Sequence, residues 1–265
     1  MGYTTRAPAV AGYFYPAEWE LLSSILSKLF ADSERFPAVA RKGLKALIVP
    51  HAGYIYSGPI AAAAYRLLLP QQFARVVLIG PSHRVAFHGI ARSNCSFFST
   101  PLGKIPVEDC SHLLEDLEEV VLNETAHEHE HALEVQLPFL QWRLGSFSLI
   151  PLVIGQASAQ LVGEVLHRLW GDEQTLIVVS SDLSHYLPYV SAQQLDKRTC
   201  DAIASDQYVA SEMACGATAI NGLLAVLPRH PLDLHLLDCR NSGDTAGEHD
   251  RVVGYAAFAG FGKES

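Results

Sequence analysis

No apolar run in the chain approaches the roughly 20 residues that a helix needs to span a bilayer. The opening MGYTTRAPAVAG has no basic-then-apolar plan, so neither a membrane span nor a signal peptide is expected. Positive charge is scarce and scattered. Lys and Arg number 19 against 28 Asp and Glu, a formal charge of −9, which argues against the clustered basic footprint that binds nucleic acid. Cysteine is sparse too: Cys95, Cys110, Cys200, Cys215 and Cys239 are odd in number and include no C-x-x-C. In a chain this long that pattern points to reduced thiols and a cytoplasmic location rather than a disulfide frame. A Walker phosphate loop, a G-x-G-x-x-G after a strand and a G-x-S-x-G elbow are all missing, so nucleotide binding and serine hydrolysis lose support.

What is present suffices for a core. Hydrophobic residues make up 49% of the 265 and charged residues 18%, without low-complexity tracts or a Pro/Gly/Ser-rich linker, so residues 1–265 read as one globular domain. Five short stretches rich in aliphatic residues read as strands: LKALIVP (44–50), RVVLIGP (75–81), FSLIPLVIG (147–155), QTLIVVSSD (174–182) and VVGYAAFAGF (252–261). Between them lie helical patterns. EWELLSSILSKLF (18–30) places Trp19, Leu22, Ile25, Leu26 and Leu29 on one stripe; PIAAAAYRLLL (59–69) opens with Pro59 at an expected first turn; SAQLVGEVLHRLW (158–170) and QQLDKRTCDAIAS (193–205) read similarly. The alternation predicts an α/β fold with a mostly central sheet covered by helices on both faces. In such sheets the loops after the strands line the ligand crevice.

Three of those loops carry chemistry. His51 follows LIV, His83 follows VVLIGPS, and Asp182 with His185 follows LIVVSS. Either histidine alone reads as a loop residue satisfied by backbone; the recurrence favours a shared site. In DLSH, Asp182 and His185 share a face if a helix begins there, with Asp182 as its cap, and a carboxylate beside an imidazole suits proton transfer or support of a metal ligand. In AHEHEHALEVQLPFLQ, His127 and His129 read as a solvated tract, whereas His131 stands at a helix start. Within LDLHLLDCRNSGD (232–244) a short strand is expected to end near Asp238, leaving Cys239 in a polar, turn-rich setting. There it could be a metal thiolate or the nucleophile of a Cys–His hydrolase, with His185 or His51 as base. The other four cysteines read as small buried apolar residues.

These residues fall into a familiar order. RAPAVAGYFYP (6–16), VPHAGYIYSG (49–58), GPSH (80–83), EHALEVQLPFLQ (130–141), SSDLSHY (180–186) and LDCRNSGD (237–244) resemble the Memo family, whose prokaryotic members include the B type of the "AmmeMemoRadiSam" system. The resemblance implies a single Memo-like α/β domain, similar to the class III extradiol dioxygenases. It implies metal ligands at His51, His83 and Cys239, with His185, Asp182 and His131 lining the same pocket and His185 as acid/base. Fe(II) or copper is the implied cofactor, with Zn(II) also compatible, and a small-molecule substrate or oxygen is the implied partner. Family association adds a radical-SAM protein and a further small partner. The expected activity is that of a metal-dependent redox enzyme, with ring cleavage of a catechol-like substrate or a non-catalytic peptide- or partner-binding role as alternatives. Two departures stand out. Cys239 occupies a position where the ring-cleaving enzymes have Glu, and CGATAINGLL (215–224) lacks a Pro usual in the family, away from the expected ligands.

Overall fold

Every residue of Leu44–Val49 is buried, as expected of a parallel strand covered on both faces. In the computed structural model, which describes residues 4–34 and 42–263, that strand belongs to a large mixed sheet. In chain order the strands are β1 (Thr5–Arg6), β2 (Leu44–Val49), β3 (Arg75–Pro81), β4 (Ile90–Arg92), β5 (Phe97–Thr100), β6 (Gly103–Pro106), β7 (Val120–Leu122), β8 (Ser148–Ile154), β9 (Thr175–Ser180), β10 (His185–Leu187), β11 (Leu232–Asn241) and β12 (Val252–Gly262). The helices are α1 (Trp19–Ser33), α2 (Tyr54–Tyr65), α3 (Ser111–Leu114), α4 (Glu124–Glu128), α5 (His131–Glu134), α6 (Leu137–Leu144), α7 (Ala159–Arg168), α8 (Tyr189–Ala204) and α9 (Ala217–Val226).

The sheet runs β10-β12-β2-β9-β3-β8-β4-β7, with β11 also paired to β12. Its centre, β2-β9-β3-β8, is parallel, and antiparallel strands flank it. Side chains alternate between two cores. Leu47, Val49, Val76, Leu78, Leu176 and Val178 join α1, α2 and α6 on one face. Ala46, Ile48, Val77, Ile79, Ile177 and Val179 meet α7, α8 and α9 on the other. Two apolar faces on one sheet require helices on both sides, and each fully buried aliphatic side chain contributes about 1.5–3 kcal/mol.

Three expected local features differ. The helix around Pro59 begins five residues earlier, at Tyr54, because the Tyr56 and Ser57 amides both find the Gly53 carbonyl, so Pro59 lies inside α2. No helix begins at Asp182. Leu183 donates to Gly254 O and Gly254 to Ser184 O, which draws this segment onto β12 as β10 and delays α8 to Tyr189. Nor does β11 end near Asp238: it continues to Asn241, pairing Cys239 with Ala256.

Candidate metal centre

The parallel register sets Val49 beside Ser180, so the chain leaves β2 and β9 at the same edge. Pro50 then carries His51 over that edge, where it is almost fully buried, at 1% exposure. Its backbone amide donates to Asp182 Oδ1 at 2.7 Å. Its ring Nδ1 lies 2.9 Å from Ser180 Oγ. Ser180 gives its own proton to Ala132 O and accepts from Gln136 Nε2. The serine therefore has only a lone pair left for the imidazole, which assigns the proton to Nδ1 and leaves Nε2 as the donor atom.

His83 follows β3 by the same logic. Its amide and Nδ1 both donate to the carboxylate of Glu130, at 2.6 and 2.9 Å, so its Nε2 is also the open donor. Glu130 further accepts from Ala132 N at 2.9 Å, capping the short helix that starts at His131. Gly80 is needed just before this loop. A Cβ there would stand 3.1 Å from Leu133 Cδ2 and 3.2 Å from Ser180 Cβ, so any larger residue would crowd α5 against β3.

One ring nitrogen from each of His51, His83 and His131 lies within 4.8 Å of the others, a grouping compatible with binding a metal ion. Burial first, then neighbouring imidazoles, pushes His51 down to about 3 and pushes His131 down as well, which keeps both rings neutral and able to donate lone pairs. Glu130 is different. Burial alone would raise it, but the hydrogen bonds and charge of His83 and the Ala132 amide bring it down to about 2. His131 Nδ1 is buried, lies 3.3 Å from Glu130 Oε1 and makes no hydrogen bond. Two imidazoles with fixed tautomers and open Nε2 atoms, with a third neutral imidazole beside them, form a donor set that fits a cation.

The structure places Cys239 outside this group, with its Sγ 3.6 Å from that of Cys200 on α8. The strand that runs through Cys239 turns the thiol toward the helix instead of releasing it at a turn. A different cysteine reaches His51, although it too stands outside the grouping of three histidines. Cys215 Sγ is 3.2 Å from His51 Nε2 and accepts from Asp182 N at 3.3 Å. Bond lengths of about 2.1 Å to nitrogen and 2.3 Å to sulfur would separate two ligands of one cation by about 3.1–3.6 Å, so the contact suits shared coordination. Burial, then the charge of Asp182, holds the thiol up at about 12. Gly216 allows the approach, since a Cβ there would stand 2.6 Å from Ser181 Cβ. The segment 215–224, expected to lie clear of the ligands, thus touches His51. The signal missed was a Cys-Gly pair just ahead of an apolar helix.

Asp182 is buried, which raises its carboxyl to about 6 against the opposing pull of the His51 amide and the charges of His185 and His83. His185 is exposed and donates from Nδ1 to Leu183 O at 2.8 Å, leaving Nε2 open. Tyr186 behind it has a φ of 58°, a left-handed backbone uncommon for a bulky residue. His127 and His129 go elsewhere. His127 is buried with Nε2 at 3.1 Å from Ala91 O, and His129 is exposed. HEHEH (127–131) fits the zinc-protease spacing H-E-x-x-H in letters alone, because α4 ends at Glu128 and a new helix starts at His131.

The N-terminal segment closes one side. Glu134 accepts from Ala9 N, Val10 N and Tyr15 OH and pairs with Arg6 at 2.8 Å. This seats Phe14 against the His131 ring, centroids 4.8 Å apart.

A central parallel sheet with imidazoles converging at its carboxyl edge defines an α/β protein of the extradiol dioxygenase-like class with a metal-compatible site. The chain belongs to the Memo family, whose family model, described as Memo-like protein, matches residues 6–259. It is 34% identical to a MEMO1 family protein of Thermoplasma acidophilum over 96% of this chain and 97% of the relative. It is 31% identical to one of Methanopyrus kandleri (96% and 98%) and 33% identical to one of Aquifex aeolicus (94% and 97%). No helix among the described residues is long and apolar enough to cross a membrane.

Proposed function

We propose that this chain is a metal-dependent redox protein that holds Fe(II) or copper through His51, His83 and His131, with Cys215 in place of Cys239 as the soft donor. The observation that carries the reading is the convergence of three ring nitrogens within 4.8 Å, with a half-buried thiol against one of the imidazoles. When bound, the ion would supply one-electron and Lewis-acid chemistry. Ser180 and Glu130 fix the tautomers of His51 and His83, and Asp182 fixes the His51 backbone. His185, with Nε2 open toward solvent, is the group that moves protons.

A cavity of about 410 Å³ opens beside Cys215, with Pro81, Ser82, Val85, Phe87 and Gln156 in its wall. Its size and mixed lining suit a small, partly apolar substrate. The three-histidine grouping includes no carboxylate, and Glu130 is engaged as hydrogen-bond acceptor, which weighs against a ring-cleaving centre built on two histidines and a carboxylate.

The test is elemental analysis of tag-free protein purified without oxygen, beside His83→Ala, His131→Ala and Cys215→Ser. Near one equivalent of iron or copper is expected in the wild type, lost in both histidine variants and weakened in Cys215→Ser. One equivalent of zinc would keep the site and remove the redox reading. Metal retained in His83→Ala and His131→Ala would sink both.

A further inference from the structure

Beyond the histidines, α8 and β11 bring two thiols together. Cys200 Sγ donates to Cys239 Sγ at 3.6 Å. Cys200 is buried and Cys239 half-buried, so the second sulfur is the accessible one. The ladder with β12 shifts register between Leu236 and Asp238, an irregularity of the kind that re-aims the residues beside it. Both cysteines line a cavity of about 310 Å³ with Asp196, Lys197, Asp201 and Arg240. That volume is at the small end for ligand sites, and it admits a peroxide more readily than a bulky disulfide.

We propose that Cys200 and Cys239 are a redox-active dithiol that reduces a small hydroperoxide and closes a reversible disulfide between α8 and β11. The Cys239 thiolate attacks one peroxide oxygen: an S–O bond forms, the O–O bond breaks, and the leaving alkoxide takes a proton to become an alcohol. The Cys200 sulfur then attacks the Cys239 sulfenic acid. An S–S bond forms, the S–O bond breaks, and hydroxide leaves as water with the proton from Cys200. Two thiols together lose two electrons, and one hydroperoxide becomes an alcohol and water.

The geometry fits each role. Cys200 gives its S–H to Cys239, which leaves the sulfur of the more exposed residue as the one to attack. The contact with Cys239 and burial both raise the Cys200 thiol, as suits a resolving group that stays protonated until the sulfenic acid forms. Closing from 3.6 Å to a disulfide bond requires the sulfurs to approach by about 1.5 Å, within reach of side-chain rotation. The inference does not depend on the metal reading.

Full-length protein, with its metal content left as purified, would be treated with a small excess of hydrogen peroxide, alkylated under denaturing conditions and weighed intact. Two of the five thiols should be lost to alkylation, a Cys200–Cys239 peptide should appear in the digest, and dithiothreitol should restore all five. In Cys200→Ser, Cys239 should stop at a sulfenic acid captured by dimedone; in Cys239→Ser, Cys200 should remain unmodified. Five alkylatable thiols after peroxide, or a disulfide joining other cysteines, would overturn the proposal, as would a Cys200→Ser protein that dimedone does not label at Cys239. The wild-type mass decides the matter even if a variant fails to fold.

Discussion

Glu130 and Glu134 stand four residues apart in EHALE, about one helical turn, and both are buried, at 1% and 0% exposure. Their partners differ. Glu134 meets a permanent cation, Arg6, and three neutral donors from the N-terminal segment. Glu130 meets His83 through its amide and ring, and the amide of Ala132. One carboxylate is spent on folding, and the other leaves its negative charge to strengthen an imidazole donor. Residue type and spacing are shared; what lies across the chain separates the two roles.

The sharpest way to break the comparison is Glu134→Gln. It strips the counter-charge from Arg6, which remains buried with its Nε and Nη2 on the carbonyls of His127 and Glu130. A buried ion pair that loses one partner costs about 3–5 kcal/mol. The expected result is an unfolding free energy lower by about that amount in urea titrations, with metal content of the folded fraction unchanged. Loss of metal at unchanged stability would reverse the assignment of the two glutamates.

His127 extends the comparison into pH. Burial pushes its imidazole down to about 4, below the usual 6.5, with nearby Glu124 and the Ala91 carbonyl only partly opposing it. As the pH falls below 6.5 the unfolded chain takes up the proton first, so stability present above 6.5 is lost progressively toward 4. Between pH 7 and 4.5 that amounts to about 2–3 kcal/mol from this residue. His127→Gln, whose amide can still donate to Ala91 O, should flatten the fall by that amount in urea titrations. His51 and His131, also held neutral by burial, are common to both proteins and drop out of the difference. An identical slope in the two proteins would show that His127 is not the group that titrates.

Much of this architecture is legible in the sequence, and the reason is physical. Strands β2, β3, β8, β9 and β12 are unbroken aliphatic runs because helices cover both faces, and the loops after β2 and β3 deliver His51 and His83 where such loops converge. Strand β11 is less legible. It is half-exposed along most of its length, so its polar residues read as a turn and Cys239 reads as freed. Cys215 was hidden for the opposite reason: its neighbours Ala214, Gly216 and Ala217 look like core, and only Gly216 packing on Ser181 shows how the thiol reaches His51. Glu130 was hidden among alternating His and Glu, where no period tells a solvated carboxylate from a buried one.

The gentlest test sharpens the comparison from the other side. Glu130→Gln keeps an oxygen to accept from one of the donors but replaces the other oxygen with an amide nitrogen that faces N–H groups. His83 then loses the carboxylate that fixes its tautomer and raises its basicity, and such outer partners are worth about 10–100-fold in metal affinity, or about 1.4–2.7 kcal/mol. Arg6 keeps its pairing with Glu134, so the fold should lose less than it does in Glu134→Gln. The expected outcome is therefore a weaker metal dissociation constant, read by competition with a chelator, together with a smaller shift in the urea midpoint. If Glu130→Gln instead unfolds the chain as readily as Glu134→Gln, both carboxylates are clamps of the fold, and the tautomer of His83 must be set by something other than its carboxylate partner.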